Sequence, residues 1–233
     1  QTGIPFLSFD GEMPNLPIVA LDVVDKEPTD WPDPLKEIYG DVWSDPAAWA
    51  GRAKELGADA INLRLLSTQP DEGDRSPEEA AETVKAVLEA CDLPLIIWGC
   101  DVADKDQKVM PKVAETAQGE NCLVGAVTED EYRTLTAAAQ AYGHKLVALS
   151  PCDINKAKQI NILVTDMGYP LNDIVIYPSC ASLGYGMEYI YSILERGRLA
   201  ALSGDKLMGQ PVLLDVGHEA WRSKEARSGD EVA

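Results

Sequence analysis

Short apolar runs and amphipathic helical patterns alternate along the chain from near its start to near its end. The apolar runs are residues 18–23, 60–65, 95–98, 122–125, 146–149, 174–177 and 212–214. Most are continuous rather than alternating, which is expected of strands covered on both faces. Strands separated by helices imply right-handed βαβ units and a parallel sheet. The number of units exceeds what a flavodoxin-like sheet needs. No G-x-G-x-x-G follows the first run, so the dinucleotide-binding open sheet lacks its fingerprint. The pattern therefore predicts an α/β fold, a truncated TIM (β/α)8 barrel over residues 18–226 with about seven parallel strands. Residues 1–17 form an N-terminal segment in which 6–15 could make a hairpin or plug, and 227–233 read as a polar tail.

The helices are punctuated by local chemistry. Asp45-Pro46 gives a cap followed by proline at the first helical position, and Gly57 stops that helix. Ser76-Pro77-Glu78-Glu79 is a capping box, and Thr128 with Glu131 suggests a second one. Asp153 can cap a helix whose inner face carries Ile154, Ala157, Ile160 and Val164. Gly186 opens a helix bearing Ile190, Ile193 and Leu194.

Composition narrows the partners. The 233 residues carry a formal net charge of −19, which repels phosphate backbones and anionic lipid, so nucleic acid and membrane surfaces are disfavoured. Cys91, Cys100, Cys122, Cys152 and Cys180 form no C-x-x-C pair. That points to a reducing, cytoplasmic setting rather than a disulfide framework or a self-contained zinc or iron–sulfur site. No apolar run reaches the ~18 residues a membrane span needs. The chain starts at Gln1 rather than methionine, as expected of a processed or partial chain.

In a (β/α)8 barrel, chemistry sits at the C-terminal ends of the strands. The loop over residues 26–44 is proline-rich and holds Trp31, Tyr39 and Trp43, which suits a lid or contact surface as well as packing. No strand ends in a lysine suited to Schiff-base chemistry. His144 and His218 are too few for a histidine-rich metal centre, and His144 precedes its strand. His218, just past the last run, could act as a base or an axial ligand, or simply sit at the rim. After the fifth run, Ser150-Pro151-Cys152-Asp153-Ile154-Asn155 places Asp153 either as a helix cap or toward a ligand, and leaves Asn155 without an obvious structural task. After the sixth, Gly184 and Gly186 let backbone approach a ligand closely or simply shape the helix entry.

Several segments together resemble one family: Met13-Pro14-Asn15, Asp30-Trp31-Pro32, residues 150–155, Leu183-Gly184-Tyr185-Gly186-Met187-Glu188-Tyr189, Glu195-Arg196-Gly197-Arg198 and Glu219-Ala220-Trp221-Arg222. This family is the small subunit of the corrinoid iron–sulfur protein of acetyl-CoA synthesis, with its archaeal counterpart, the delta subunit of the acetyl-CoA decarbonylase/synthase complex. The resemblance implies a TIM barrel paired with a large subunit that carries a [4Fe–4S] cluster and a corrinoid domain. It further implies a cobamide lying between that domain and the barrel mouth. Cobalt would take a methyl group from methyltetrahydrofolate or a tetrahydropterin through a separate methyltransferase and deliver it to acetyl-CoA synthase. The small subunit would shelter the cofactor without making or breaking bonds. Family chains also extend further at both ends. Ser150, Asp153, Asn155, Ser182, Gly184, Tyr185 and Gly186 are then expected to face the amide fringe of the corrin ring. The competing expectation is a pterin-binding TIM-barrel methyltransferase, an enzyme in its own right, with Asp153 and Asn155 at the pterin.

Overall fold

The computed structural model describes residues 17–29, 31 and 33–228. Among these, six parallel strands are arranged in chain order: β1 Ala20–Val24, β2 Ala60–Arg64, β3 Leu95–Trp98, β4 Leu123–Val127, β5 Lys145–Leu149 and β6 Ile174–Tyr177. The register is continuous from Asp22 opposite Asn62 round to Leu149 opposite Tyr177, with one irregularity in β4 between Val124 and Val127. Alternating with the strands are α1 Asp33–Tyr39, α2 Pro46–Glu55, α3 Pro77–Ala90, α4 Ala103–Thr116, α5 Arg133–Tyr142, α6 Ile154–Asp166 and α7 Met187–Leu202. Two short helices, α8 Val216–Trp221 and α9 Lys224–Ser228, follow. The architecture is an open (β/α) barrel in which β1 and β6 do not meet among the described residues. No helix among them is long and apolar enough to cross a membrane.

The caps form as local chemistry requires. Asp45 accepts from the amides of Ala47 and Ala48 at 3.0 and 3.3 Å. Ser76 and Glu79 complete the reciprocal box at the start of α3. At 128–131 only half a box exists. The Glu131 amide donates to Thr128 Oγ1 at 3.2 Å, but α5 begins two residues later, behind Tyr132. The run at 212–214 also differs from expectation. It contributes a single parallel bridge, Val212 to Ile176, held by Ile176 N to Pro211 O and Leu213 N to Ile176 O, both at 2.9 Å. The visible sheet thus has six strands and a bridge rather than seven strands. Among the described residues its pairing with β6 stops at Ile176, so no ladder builds beyond the one bridge. The hairpin or plug expected at 6–15 lies outside the described residues.

Two apolar layers enclose the sheet. Outside it, Val23, Ile61, Leu63, Ile97, Val124, Leu146 and Ile174 pack on the inward faces of the helices. Inside, Ile96, Trp98, Val147 and Tyr177 form a second cluster with Leu123, Leu149 and Leu213. Gly125 permits that inner packing, because a Cβ there would stand 2.8 Å from Val147 Cβ. The 26–44 segment contains α1, and its aromatic rings turn inward. Trp31, Tyr39 and Trp43 surround Trp49 of α2 with centroid distances of 4.9 to 5.5 Å and edge-on geometry. These rings are packing groups, and the segment is anchored to the barrel through them.

Candidate functional site

Two neighbouring loops dominate the C-terminal face. The loop after β5 is tied to the one after β6 by Ser150 N to Tyr177 O at 2.9 Å and Cys152 N to Pro178 O at 3.0 Å. Both hold residues in left-handed conformation, Cys152 at φ 49° and Ser179 at φ 68°. Such non-glycine backbone costs on the order of 1–3 kcal/mol per residue and persists where the surroundings dictate it. Gly184 at φ 78° and Gly186 at φ 120° continue the pattern, and nothing lies within 4 Å of the position a Gly184 Cβ would take. The loop therefore presents bare backbone beside an exposed Leu183 (84%) and a half-exposed Tyr185 (50%). The result is a broad rim of small and apolar residues.

Inside the barrel lies a buried polar centre. Asn62 Nδ2 donates to Asp22 Oδ1 at 2.6 Å, and Arg64 Nε stands 3.4 Å from Asp22 Oδ2. Arg64 also pairs with Asp215, which enters from beyond the bridged segment. The guanidinium lies 5.8 Å from the Trp98 ring centre, and Trp98 meets Tyr177 edge-on. Burial raises the Asp22 carboxyl above its ordinary value, and Arg64 opposes the rise. Burial also works against the charge of Arg64, but Asp22 and Asp215 outweigh it, so its pKa lies above the ordinary value. Burial pushes the Tyr177 hydroxyl up as well. One cation held between two carboxylates fixes β1, β2 and the segment after the bridge relative to each other.

Further carboxylates pin neighbouring mouth loops. Asp25 accepts from the Ser67 amide at 2.8 Å and from its hydroxyl, joining the loops after β1 and β2. Asp106 accepts from the amides of Cys100 and Asp101 at 2.9 and 3.0 Å, holding the turn after β3. Burial raises the pKa of both carboxyls.

The expected site residues fall into three groups. Ser182, Gly184, Tyr185 and Gly186 share the β6–α7 rim. Tyr185 N donates to Ser182 O at 3.0 Å, and Tyr185 Oη donates to Glu225 at 3.0 Å. Ser150 is fully buried beneath the rim, and its Oγ has no hydrogen-bond partner among the described residues. Asp153 and Asn155 sit at the start of α6. Asp153 Oδ1 accepts from the amides of Asn155 and Lys156 at 2.8 and 3.3 Å, as an N-cap. Asn155 lines a 350 Å³ groove between α6 and α7 with Lys158, Arg196 and Leu199. Asp153→Ala should cost about 1 kcal/mol of stability, whereas Asn155→Ala should leave the denaturation midpoint unchanged within error. Equal losses in parallel urea titrations would contradict these roles.

The cysteines and histidines are placed structurally. Cys122 is buried, and burial pushes its thiol up to about 12. His144 Nδ1 accepts from the Cys122 amide at 3.2 Å, and Nε2 lies 2.8 Å from Ala114 O, away from the mouth. His218 lies in the first turn of α8, half-buried at the mouth. Among the described residues, no three His, Cys, Asp or Glu side chains converge as a metal set. The inner polar centre was not singled out from sequence. Its signal was available, because Asp22, Asn62 and Arg64 interrupt apolar strands, and Asn62 and Arg64 are two apart on one face.

A family model described as the CO dehydrogenase/acetyl-CoA synthase delta subunit matches residues 5–232. The delta subunit of the acetyl-CoA decarbonylase/synthase complex of Methanothermobacter thermautotrophicus is 38% identical over 219 residues, covering 93% of this chain and 56% of that protein. Its counterpart in Archaeoglobus fulgidus is 34% identical over 229 residues, covering 97% and 50%. The chain thus spans about half the length of these curated relatives. Among solved structures, Yersinia pestis dihydropteroate synthase superposes with a TM-score of 0.57 at 16% identity, covering 85% of this chain and 73% of that one. The Pyrococcus furiosus tryptophan synthase complex gives 0.51 at 14% identity, covering 84% and 87%. These structural likenesses establish the barrel fold alone.

Proposed function

The chain belongs to the CO dehydrogenase/acetyl-CoA synthase delta-subunit family, and from that premise we propose that its barrel mouth forms one wall of a cobamide site shared with a partner. The partner is a corrinoid iron–sulfur large subunit, which carries the [4Fe–4S] cluster. When bound, the cobamide supplies a cobalt that carries a methyl group from methyltetrahydrofolate or a tetrahydropterin to acetyl-CoA synthase. A methyltransferase and acetyl-CoA synthase are transient partners. This chain is not the bond-making component; it shelters the cofactor.

The observation that carries this reading is the rim after β5 and β6. A corrin ring is broad and mostly apolar with an amide fringe, so it needs extended apolar contact and a few hydrogen-bonding groups. Gly184 and Gly186 offer bare backbone, Leu183 and Tyr185 offer exposed apolar surface, and Ser182 adds a hydroxyl. Asp153 and Ser150 support this surface from below, the first by capping α6 and the second within the linked strand ends. Asn155 belongs to the same set only through its place at the start of α6, at the groove's edge. The residues present fit a wall against a cofactor held from the other side.

The test uses graded substitutions at Gly184 in the complex reconstituted with its corrinoid-carrying partner. Gly184→Ala and Gly184→Leu impose the same left-handed backbone without β-branching, about 1–2 kcal/mol each, and differ in bulk toward the ligand. Cobamide content after gel filtration should fall modestly with alanine and several-fold with leucine. Equal, wild-type content in both would remove this rim from the cofactor surface.

A further inference from the structure

After the bridge at Val212, the described residues up to Ser228 form no full-length helix. They make two short helices, α8 and α9, and stay at the mouth, where two contacts fasten them. Asp215 pairs with Arg64, the last residue of β2, with side-chain exposures of 13% and 7%. Glu225 accepts from Tyr185 Oη on the rim after β6. Between these points α8 has no buried residue, and Val216 and Trp221 stand exposed. Segments held by few apolar contacts open at low free-energy cost, independently of the core. Leu213, hydrogen-bonded to Ile176 and packed on the inner cluster, marks where the fixed part ends.

We infer that residues 215–228 form a strap across the barrel mouth, clasped at Asp215–Arg64 and Glu225–Tyr185, that opens to admit what the mouth receives. The occupant, a cobamide presented by a partner, rests on the function proposed above; the strap itself does not. The two clasps sit near opposite ends of the segment, so loss of either loosens it locally. The Glu225–Tyr185 clasp suits repeated opening, since both residues are exposed and releasing it re-solvates a carboxylate and a hydroxyl instead of exposing a core, whereas the buried Asp215–Arg64 pair is the firmer anchor.

Amide hydrogen exchange on the full-length protein tests the strap directly. Amides of α8 and α9 should exchange about ten-fold or more faster than those of α6. Asp215→Asn keeps an oxygen for the helix cap, since asparagine caps as well as aspartate, and turns its NH2 toward the Arg64 guanidinium, so both the charge pairing and the hydrogen bond to Arg64 are lost; Glu225→Ala removes the second clasp at an exposed position. Each should speed exchange in 215–228 by a further several-fold, more than it speeds exchange in α3 to α6. Protection of α8 equal to that of α6, or insensitivity to both substitutions, would overturn the strap. In the reconstituted complex the same variants should exchange bound cobamide for added cobamide faster than wild type. A wild-type complex that holds no cobamide would defeat the proposed function and leave the exchange result standing. A complex that holds it, with exchange rates unaltered in both variants, would defeat the gating role alone.

Discussion

Replacing Arg64 with methionine is expected to lower the unfolding free energy by about 3–5 kcal/mol, the loss seen when one partner of a buried ion pair is removed. The side chain is 7% exposed and lies between Asp22 and Asp215. Methionine fills much of the volume but leaves two carboxylates facing each other in a buried setting. The loss should depend on pH. Asp22 already has a raised pKa because of burial, and Arg64 is the main group holding it down. Without Arg64 the carboxyl rises further. A carboxyl raised in the folded state binds more protons folded than unfolded. Its favourable contribution is therefore complete below the ordinary carboxylate value and is lost as pH rises through the raised one. The destabilisation should be smaller at mildly acidic pH than at neutral pH. Urea titrations at two pH values check this, and a loss that is equal at both, or below ~1 kcal/mol, would contradict the role given to Arg64.

Trp49→Ala should be comparably costly, about 3–5 kcal/mol, because a fully buried aromatic leaves a cavity its neighbours fill only in part. Trp49 is 0% exposed and meets Trp31, Tyr39 and Trp43 edge-on. Its removal should also loosen the 26–44 segment, read as faster proteolysis there and a red-shifted emission from Trp31 and Trp43. A loop serving as a detached lid would show the opposite: mild destabilisation and no change in cleavage. The packing makes the first result the expected one.

The legible parts of the sequence were those settled by neighbours in the chain. Asp45, Ser76 and Asp153 cap helices because an acceptor beside free amides needs no distant partner. The continuous apolar runs likewise announced a parallel sheet covered on both faces. What escaped depended on distant residues. Whether 212–214 becomes a strand is decided by how far it pairs with β6, and among the described residues only Ile176 bridges it. Trp31 and Trp43 looked like contact groups until Trp49 supplied their packing partner. Asp153 caps α6, while Asn155, two residues on, lines the groove between α6 and α7, a difference set by the neighbouring helix. The inner Asp22–Asn62–Arg64–Asp215 centre depends on the Arg64–Asp215 pair, 151 residues apart, which no local pattern displays.

The central claim is that the mouth shelters a cobamide only together with a partner. The most direct measurement is cobamide absorbance comigrating on gel filtration with the full-length chain, first alone and then with the corrinoid-carrying subunit, with a reduced pterin tested in parallel. The account predicts no retained cobamide and no pterin binding by the chain alone, and stoichiometric cobamide once the partner is present. Stoichiometric cobamide on the isolated chain, or saturable pterin binding without any partner, would contradict it.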